Sequence, residues 1–223
     1  GAAEAPRQKL FAIDVTGGKP RVLVGEHYNS GAATLGNRAQ IVFAQDSLLS
    51  PAEIYTAEID GSNVKQLTHF NDERVKLAQF GEPSEFRFAG ALGEEVQAWL
   101  IKPVGWQEGK KYPVALIVHG GPQGAIDDHF HYRWNPQAYA GAGYAVIAIN
   151  FHGSTGFGQA FTDSISGDWG GKPFEDLMKG LDFALAEYPW LDGDRVAALG
   201  ASYGGWMINW INGHTNRFKC LVN

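Results

Sequence analysis

Two clusters of small residues could do chemistry in this sequence: Gly200-Ala201-Ser202-Tyr203-Gly204-Gly205 and His119-Gly120-Gly121-Pro122. The first follows an apolar run over 196–199 and precedes a helix-compatible stretch over 206–212. Between strand and helix, Ser202 would sit on a sharp turn with its hydroxyl held above a sheet edge. Gly200 and Gly204 leave room for neighbouring backbone, and the N-terminus of the helix favours developing negative charge. That arrangement suits nucleophilic attack and acyl transfer. A Gly-x-Ser-x-Gly match by itself is a weak signal, which an ordinary glycine-rich turn can also produce, so its strand-to-helix setting carries the weight.

The second cluster comes directly after the apolar run 114–118. In α/β-hydrolases a loop at this point supplies one backbone N–H of the oxyanion hole, and the residue after the nucleophile supplies the other. Gly121 and Tyr203 occupy those positions. Glycine fits there because the backbone itself must approach a substrate carbonyl. His119 could be read as a metal ligand or a catalytic base, but no ligand cluster accompanies it, and it reads as orienting its loop. Gly153-Ser154-Thr155-Gly156 could pass for a phosphate cradle. It lacks the Lys and Ser/Thr that should follow, and Gly170-Gly171-Lys172 runs into a proline, so nucleotide binding is not expected.

A serine hydroxyl needs a histidine to take its proton and a carboxylate to hold that histidine. In α/β-hydrolases both follow the serine, and only 21 residues follow Ser202 in this chain of 223. His214 is the sole downstream histidine. If the intervening segment stays helical it lies about 18 Å from Ser202, and it reads as a surface residue.

The elements that must position these residues fall into two regions, 1–82 and 83–223. In the second, residues 85–88 and 96–101 read as an antiparallel hairpin. The continuous apolar runs 114–118, 144–149 and 196–199 read as parallel strands covered on both faces. After Pro173, residues Phe174, Leu177, Met178, Leu181, Ala184, Leu185 and Tyr188 recur at helical spacing, with Glu175 and Asp176 placing negative charge in the first turn and Pro189 beyond the end. The fold class is therefore α/β, the N-terminal half of an α/β-hydrolase sheet with flanking helices. In the first region, residues 10–18 align with 54–62 at an offset of 44. Each copy is a strand, a glycine-containing turn and a returning strand, which predicts hairpins repeated as in the last one or two blades of a β-propeller. Two unrelated hairpins are the plainer alternative.

His119-Gly120-Gly121-Pro122, Asn150-Phe151-His152-Gly153-Ser154-Thr155-Gly156-Phe157-Gly158, Asp168-Trp169-Gly170-Gly171 and the Ser202 turn, in that order, resemble the prolyl oligopeptidase family of serine peptidases. Within it the sequence is most similar to dipeptidyl-peptidase 5-type enzymes and acylaminoacyl peptidases. The resemblance implies Ser202 as nucleophile, Tyr203 and Gly121 as oxyanion donors, and the Tyr203 ring as a wall of the pocket for the residue before the scissile bond. It implies a short peptide as substrate, with dipeptides released from peptide N-termini. The same scaffold also serves acylaminoacyl peptidases, oligopeptidases and esterases, or a binding protein without catalysis. Many relatives carry arginine where His152 stands, and the dipeptidyl-peptidase IV branch has tyrosine at the place of His119, so no side-chain hydroxyl is expected in the oxyanion hole here.

Composition narrows the partners. A formal charge of -6, with no run of Lys or Arg, argues against nucleic acid or an anionic membrane. No apolar stretch reaches the roughly 20 residues of a membrane helix. No metal and no cofactor are expected. The single cysteine, Cys220, excludes an internal disulfide framework and reads as a small buried apolar residue. Glycine at position 1 and a strand-like end at 220–223 read as an internal piece of a longer protein. Compartment and oligomeric state are left open, although the resemblance suggests a periplasmic or secreted setting.

Overall fold

The computed structural model describes residues 1–4, 6–36 and 39–223. It divides into two compact units, Gly1–Gln79 with Asp127–Trp134, and Phe80–Ile126 with Asn135–Asn223. The excursion of 127–134 into the first unit has no signature in the sequence.

The first unit consists of short strands: β1 (Ala2–Glu4), β2 (Arg7–Ala12), β3 (Arg21–Val24), β4 (Tyr28–Thr34), β5 (Gln40–Ser47), β6 (Ser50–Glu58) and β7 (Lys65–Gln66), followed by the helix α1 (Asp72–Leu77). The two repeat copies are both antiparallel hairpins, β2 with β3 and β6 with β7. β4 to β7 form an antiparallel meander of four strands. Its small core is Leu10, Val24, Ile41, Phe43 and Ala57. Asp128 and Asp46 hold the 127–134 excursion: Asp128 accepts from Leu48 N at 2.9 Å and bonds His27 Nδ1 at 2.6 Å, and Asp46 bonds His129 Nδ1 at 2.6 Å.

The second unit holds β8 (Pro83–Ala89), a 3-10 turn (Ala91–Gly93), β9 (Glu95–Ile101), β10 (Tyr112–Val118), α2 (Gln137–Gly141), β11 (Ala145–Asn150), α3 (Gln159–Asp163), α4 (Lys172–Glu187), β12 (Leu191–Gly200), α5 (Tyr203–His214) and β13 (Cys220–Val222). Its strands lie in the order β13-β12-β10-β11-β9-β8. β13, β12, β10 and β11 pair in parallel, and the β8–β9 hairpin adds antiparallel strands at one edge. This is the α/β sheet that the apolar runs predict. All six residues of β11 are buried, because α4 and its neighbours cover one face while Ala140 on α2 packs with Val146 on the other.

Two expectations need correction. Cys220 is exposed within these residues, where β13 pairs with β12. Asp176 lies beyond the first turn of α4, whose acidic residue is Glu175, and belongs to the buried stripe with Pro173, Leu177, Gly180, Leu181 and Ala184.

Candidate active site

Ser202 joins β12 to α5 and adopts φ 58° and ψ -123°, a left-handed conformation that costs a non-glycine residue about 1–3 kcal/mol. The turn is kept sharp by close packing around it. A Cβ on Gly204 would stand 2.2 Å from the Val118 carbonyl oxygen, and one on Gly200 would stand 2.6 Å from the Gly204 backbone. Glycine is therefore required at both positions by contact.

The glycine loop after β10 lies against this turn. A Cβ on Gly120 would be 3.3 Å from Ser202 Cβ and 3.9 Å from its Oγ. Gly121 has φ 129°, where a side chain is strained, and a Cβ would meet Gln123 N at 2.6 Å. Among the described residues, neither Gly121 N–H nor Tyr203 N–H has a backbone acceptor, which leaves both able to donate to a ligand. The backbone at Tyr203 also opens α5, where the helix dipole favours negative charge.

His119 orients the loop. Its Nδ1 donates to Gly120 O at 2.8 Å, because a carbonyl only accepts, so Nε2 accepts from Ser154 Oγ at 2.9 Å. Its ring stacks on Phe151 with centroids 4.1 Å apart. Burial lowers its pKa to about 4, which makes it neutral near pH 7. Ser202 Oγ itself has no histidine or carboxylate partner among the described residues. His214 ends α5, exposed, with Nδ1 on Trp210 O at 2.7 Å and its ring stacked on Trp210, away from the serine.

The ring of Tyr203 is 3% exposed and packs among Phe151, Trp169 and Trp206. Its hydroxyl donates to Trp169 O at 2.8 Å, and burial pushes its pKa up. This burial leaves little of the ring for a substrate to touch. The Asp168-Trp169-Gly170-Gly171 motif serves α4 and α5: Asp168 Oδ2 accepts from the N–H of Lys172 at 3.1 Å and from its Nζ at 2.6 Å, which holds the carboxyl below its usual range. Gly170 lies flat against Trp210, where a Cβ would come within 2.4 Å of the ring.

Sequence reasoning missed the partner of His152. His152 and Asp176 are both buried and bonded to each other at 2.7 Å. The available signal was Asp176 itself, a charged residue on the apolar stripe of a helix, where burial requires a partner.

A serine on a strained strand-to-helix turn, a glycine loop packed against it and a parallel sheet beneath define the α/β-hydrolase class. Within that class the resemblance read from the motifs holds, since residues 130–223 match the prolyl oligopeptidase family. Dipeptidyl-peptidase 5 of Schizosaccharomyces pombe is 38% identical over 218 residues, covering 97% of this chain and 31% of that protein. Dipeptidyl-peptidase 5 of Aspergillus fumigatus is 43% identical over 174 residues, covering 76% of this chain and 24% of that protein. Among solved structures, an acylaminoacyl peptidase in complex with Z-Gly-Gly-Phe-chloromethyl ketone superposes with a TM-score of 0.87 at 31% identity, covering 98% of this chain and 34% of that one. The uncomplexed enzyme of Pyrococcus horikoshii gives 0.86 at 30% identity, over 98% of this chain and 34% of that one. The chain thus spans about a third of the length of the relatives it matches.

Proposed function

We propose that the intact protein is a serine peptidase that cleaves short peptides by acyl transfer through Ser202, releasing dipeptides from peptide N-termini. The observation that carries this reading is the strained Ser202 turn with the Gly120-Gly121 loop packed against it. Ser202 Oγ attacks the scissile carbonyl carbon as a base takes its proton. The resulting oxyanion is held by the N–H groups of Tyr203 and Gly121, while the buried Tyr203 ring backs the pocket for the residue before the scissile bond. Collapse expels the peptide amine, which takes a proton, and water then releases the acyl group. The base and its carboxylate are assigned to sequence outside this chain, so residues 1–223 alone are inert in this reading. The first region supplies the last blades of a β-propeller, and the second the N-terminal part of the peptidase domain.

Hydrolysis by the full-length protein of Ala-Ala-type, acetyl-aminoacyl and p-nitrophenyl ester substrates tests the reading. Release of dipeptides ahead of acetyl-amino acids is expected. Faster release of acetyl-amino acids would make it an acylaminoacyl peptidase, the activity named for the structural relatives. Turnover of the ester alone would make it an esterase. No turnover of any substrate would leave a binding protein on a hydrolase scaffold.

A further inference from the structure

Asp176 is fully buried on α4, and burial pushes its carboxyl above the usual range against the pull of its hydrogen bonds. Those bonds tie three separate pieces of chain together. Oδ1 accepts from Ala91 N in the 3-10 turn at 2.7 Å, and Oδ2 accepts from both the backbone N–H and the ring Nδ1 of His152, each at 2.7 Å. Gly90 makes room for the carboxylate, since a Cβ there would stand 2.4 Å from Oδ1. His152 is 1% exposed, stacks on Phe161 at 4.3 Å and aims Nε2 at Glu94 Oε2, 3.3 Å away. A packed hydrocarbon would fill this space without the desolvation cost of a carboxylate, so the pair calls for a role beyond cohesion.

The residues around His152 hold the glycine loop along its length. Asn150 Oδ1 accepts from Ile126 N at 2.8 Å, and Gly124 O accepts from Thr155 N at 3.0 Å. Phe151 stacks on His119, and Ser154 donates to it. These contacts run from 150–155 to 119–126, joined by Asn150 Nδ2 donating to Ile126 O at 3.1 Å, and the fixed point in the middle of 150–155 is His152 on Asp176.

We propose that His152, anchored by Asp176, is a positioning residue that sets the glycine loop and with it the Gly121 N–H. It touches neither Ser202 nor the atoms that would react; it acts through 150–155. The catalytic consequence rests on the peptidase reading above, whereas the placement of the loop does not.

The test uses the full-length protein with His152→Gln, His152→Arg and Ser154→Ala. In His152→Gln, amide hydrogen exchange over 119–126 is expected to accelerate at least about tenfold while β10 and β11 keep their protection. Peptide turnover should fall about 10- to 100-fold in kcat with KM within about twofold, the signature of a donor misplaced in the transition state. Arginine, whose cationic fork can pair with the Asp176 carboxylate as a neutral amide cannot, should recover most of both. Ser154→Ala cuts the next link at a small polar side chain and should give the same exchange pattern, which keeps the proposal exposed if His152→Gln does not fold. Unchanged exchange over 119–126 in the folded variants, or equal acceleration throughout the sheet, would overturn it. If the wild-type protein turns over no peptide, the peptidase reading fails, and the exchange result still decides the placement.

Discussion

In the second unit β11 is buried at all six positions and β10 at four of seven, whereas in the first unit β6 alternates between buried and open residues along its length. The difference follows from what covers each sheet. Parallel strands need helical crossovers, which shield both faces, while an antiparallel meander can leave one face open. The doubly covered sheet can therefore hold backbone at its strand ends under strain, and β10 and β12 end in the two turns that carry the candidate chemistry. In the first unit an added Cβ would meet nothing within 4 Å at Gly17, in the turn between β2 and β3, or at Gly31, within β4, whereas at Gly61 it would stand 2.2 Å from Leu23 O.

Substitutions should separate the two regions by the size of their effect. The largest is expected for Ser202→Ala in the full-length protein, which should lower peptide turnover by about 10⁴-fold or more and leave thermal unfolding near that of the wild type. Retained turnover would move the chemistry away from the elbow. Next is Gly204→Ala, whose Cβ would lie 2.2 Å from Val118 O and should prevent the elbow from forming, with loss of folded protein in thermal scans. Gly31→Ala, at φ 62° in open space, should cost only about 1–2 kcal/mol. Equal effects would break the contrast. In denaturant titrations, Leu181→Ala in the core of the second unit should cost about 2–5 kcal/mol, against about 0.5 kcal/mol or less for Ile54→Ala on the open face of β6.

A further effect concerns pH. Burial lowers the pKa of His119 to about 4 from an ordinary 6.5, so between those values the unfolded chain binds more protons than the folded one. Its contribution to stability is whole above pH 6.5 and is lost as pH falls toward 4. Denaturant midpoints from pH 7 to 4 should decline less steeply in His119→Gln than in the wild type. Parallel declines would show that the ring takes up protons in the folded state.

Legibility in the sequence follows the same division. The parallel strands and α4 could be read because residues buried on both faces leave uninterrupted apolar runs, and α5 because glycine and serine spacing marks its start. The hairpins of the first unit were visible through their repeat. The 127–134 excursion was not, because the Asp46 and Asp128 bonds that hold it join residues some 80 positions apart in sequence. Asp176 was grouped with Glu175 as first-turn charge because sequence locates a helix start only to within a residue or two, and its place on the apolar stripe is what distinguishes it.

The most direct measurement is labelling by a fluorophosphonate, which reacts only with a serine activated by a base. The full-length protein should label rapidly at Ser202, its Ser202→Ala variant should not label, and the isolated 223 residues should stay unlabelled. Rapid labelling of the isolated chain, or labelling of full-length protein at another serine, would contradict the assignment of Ser202 as a nucleophile whose base lies outside this chain.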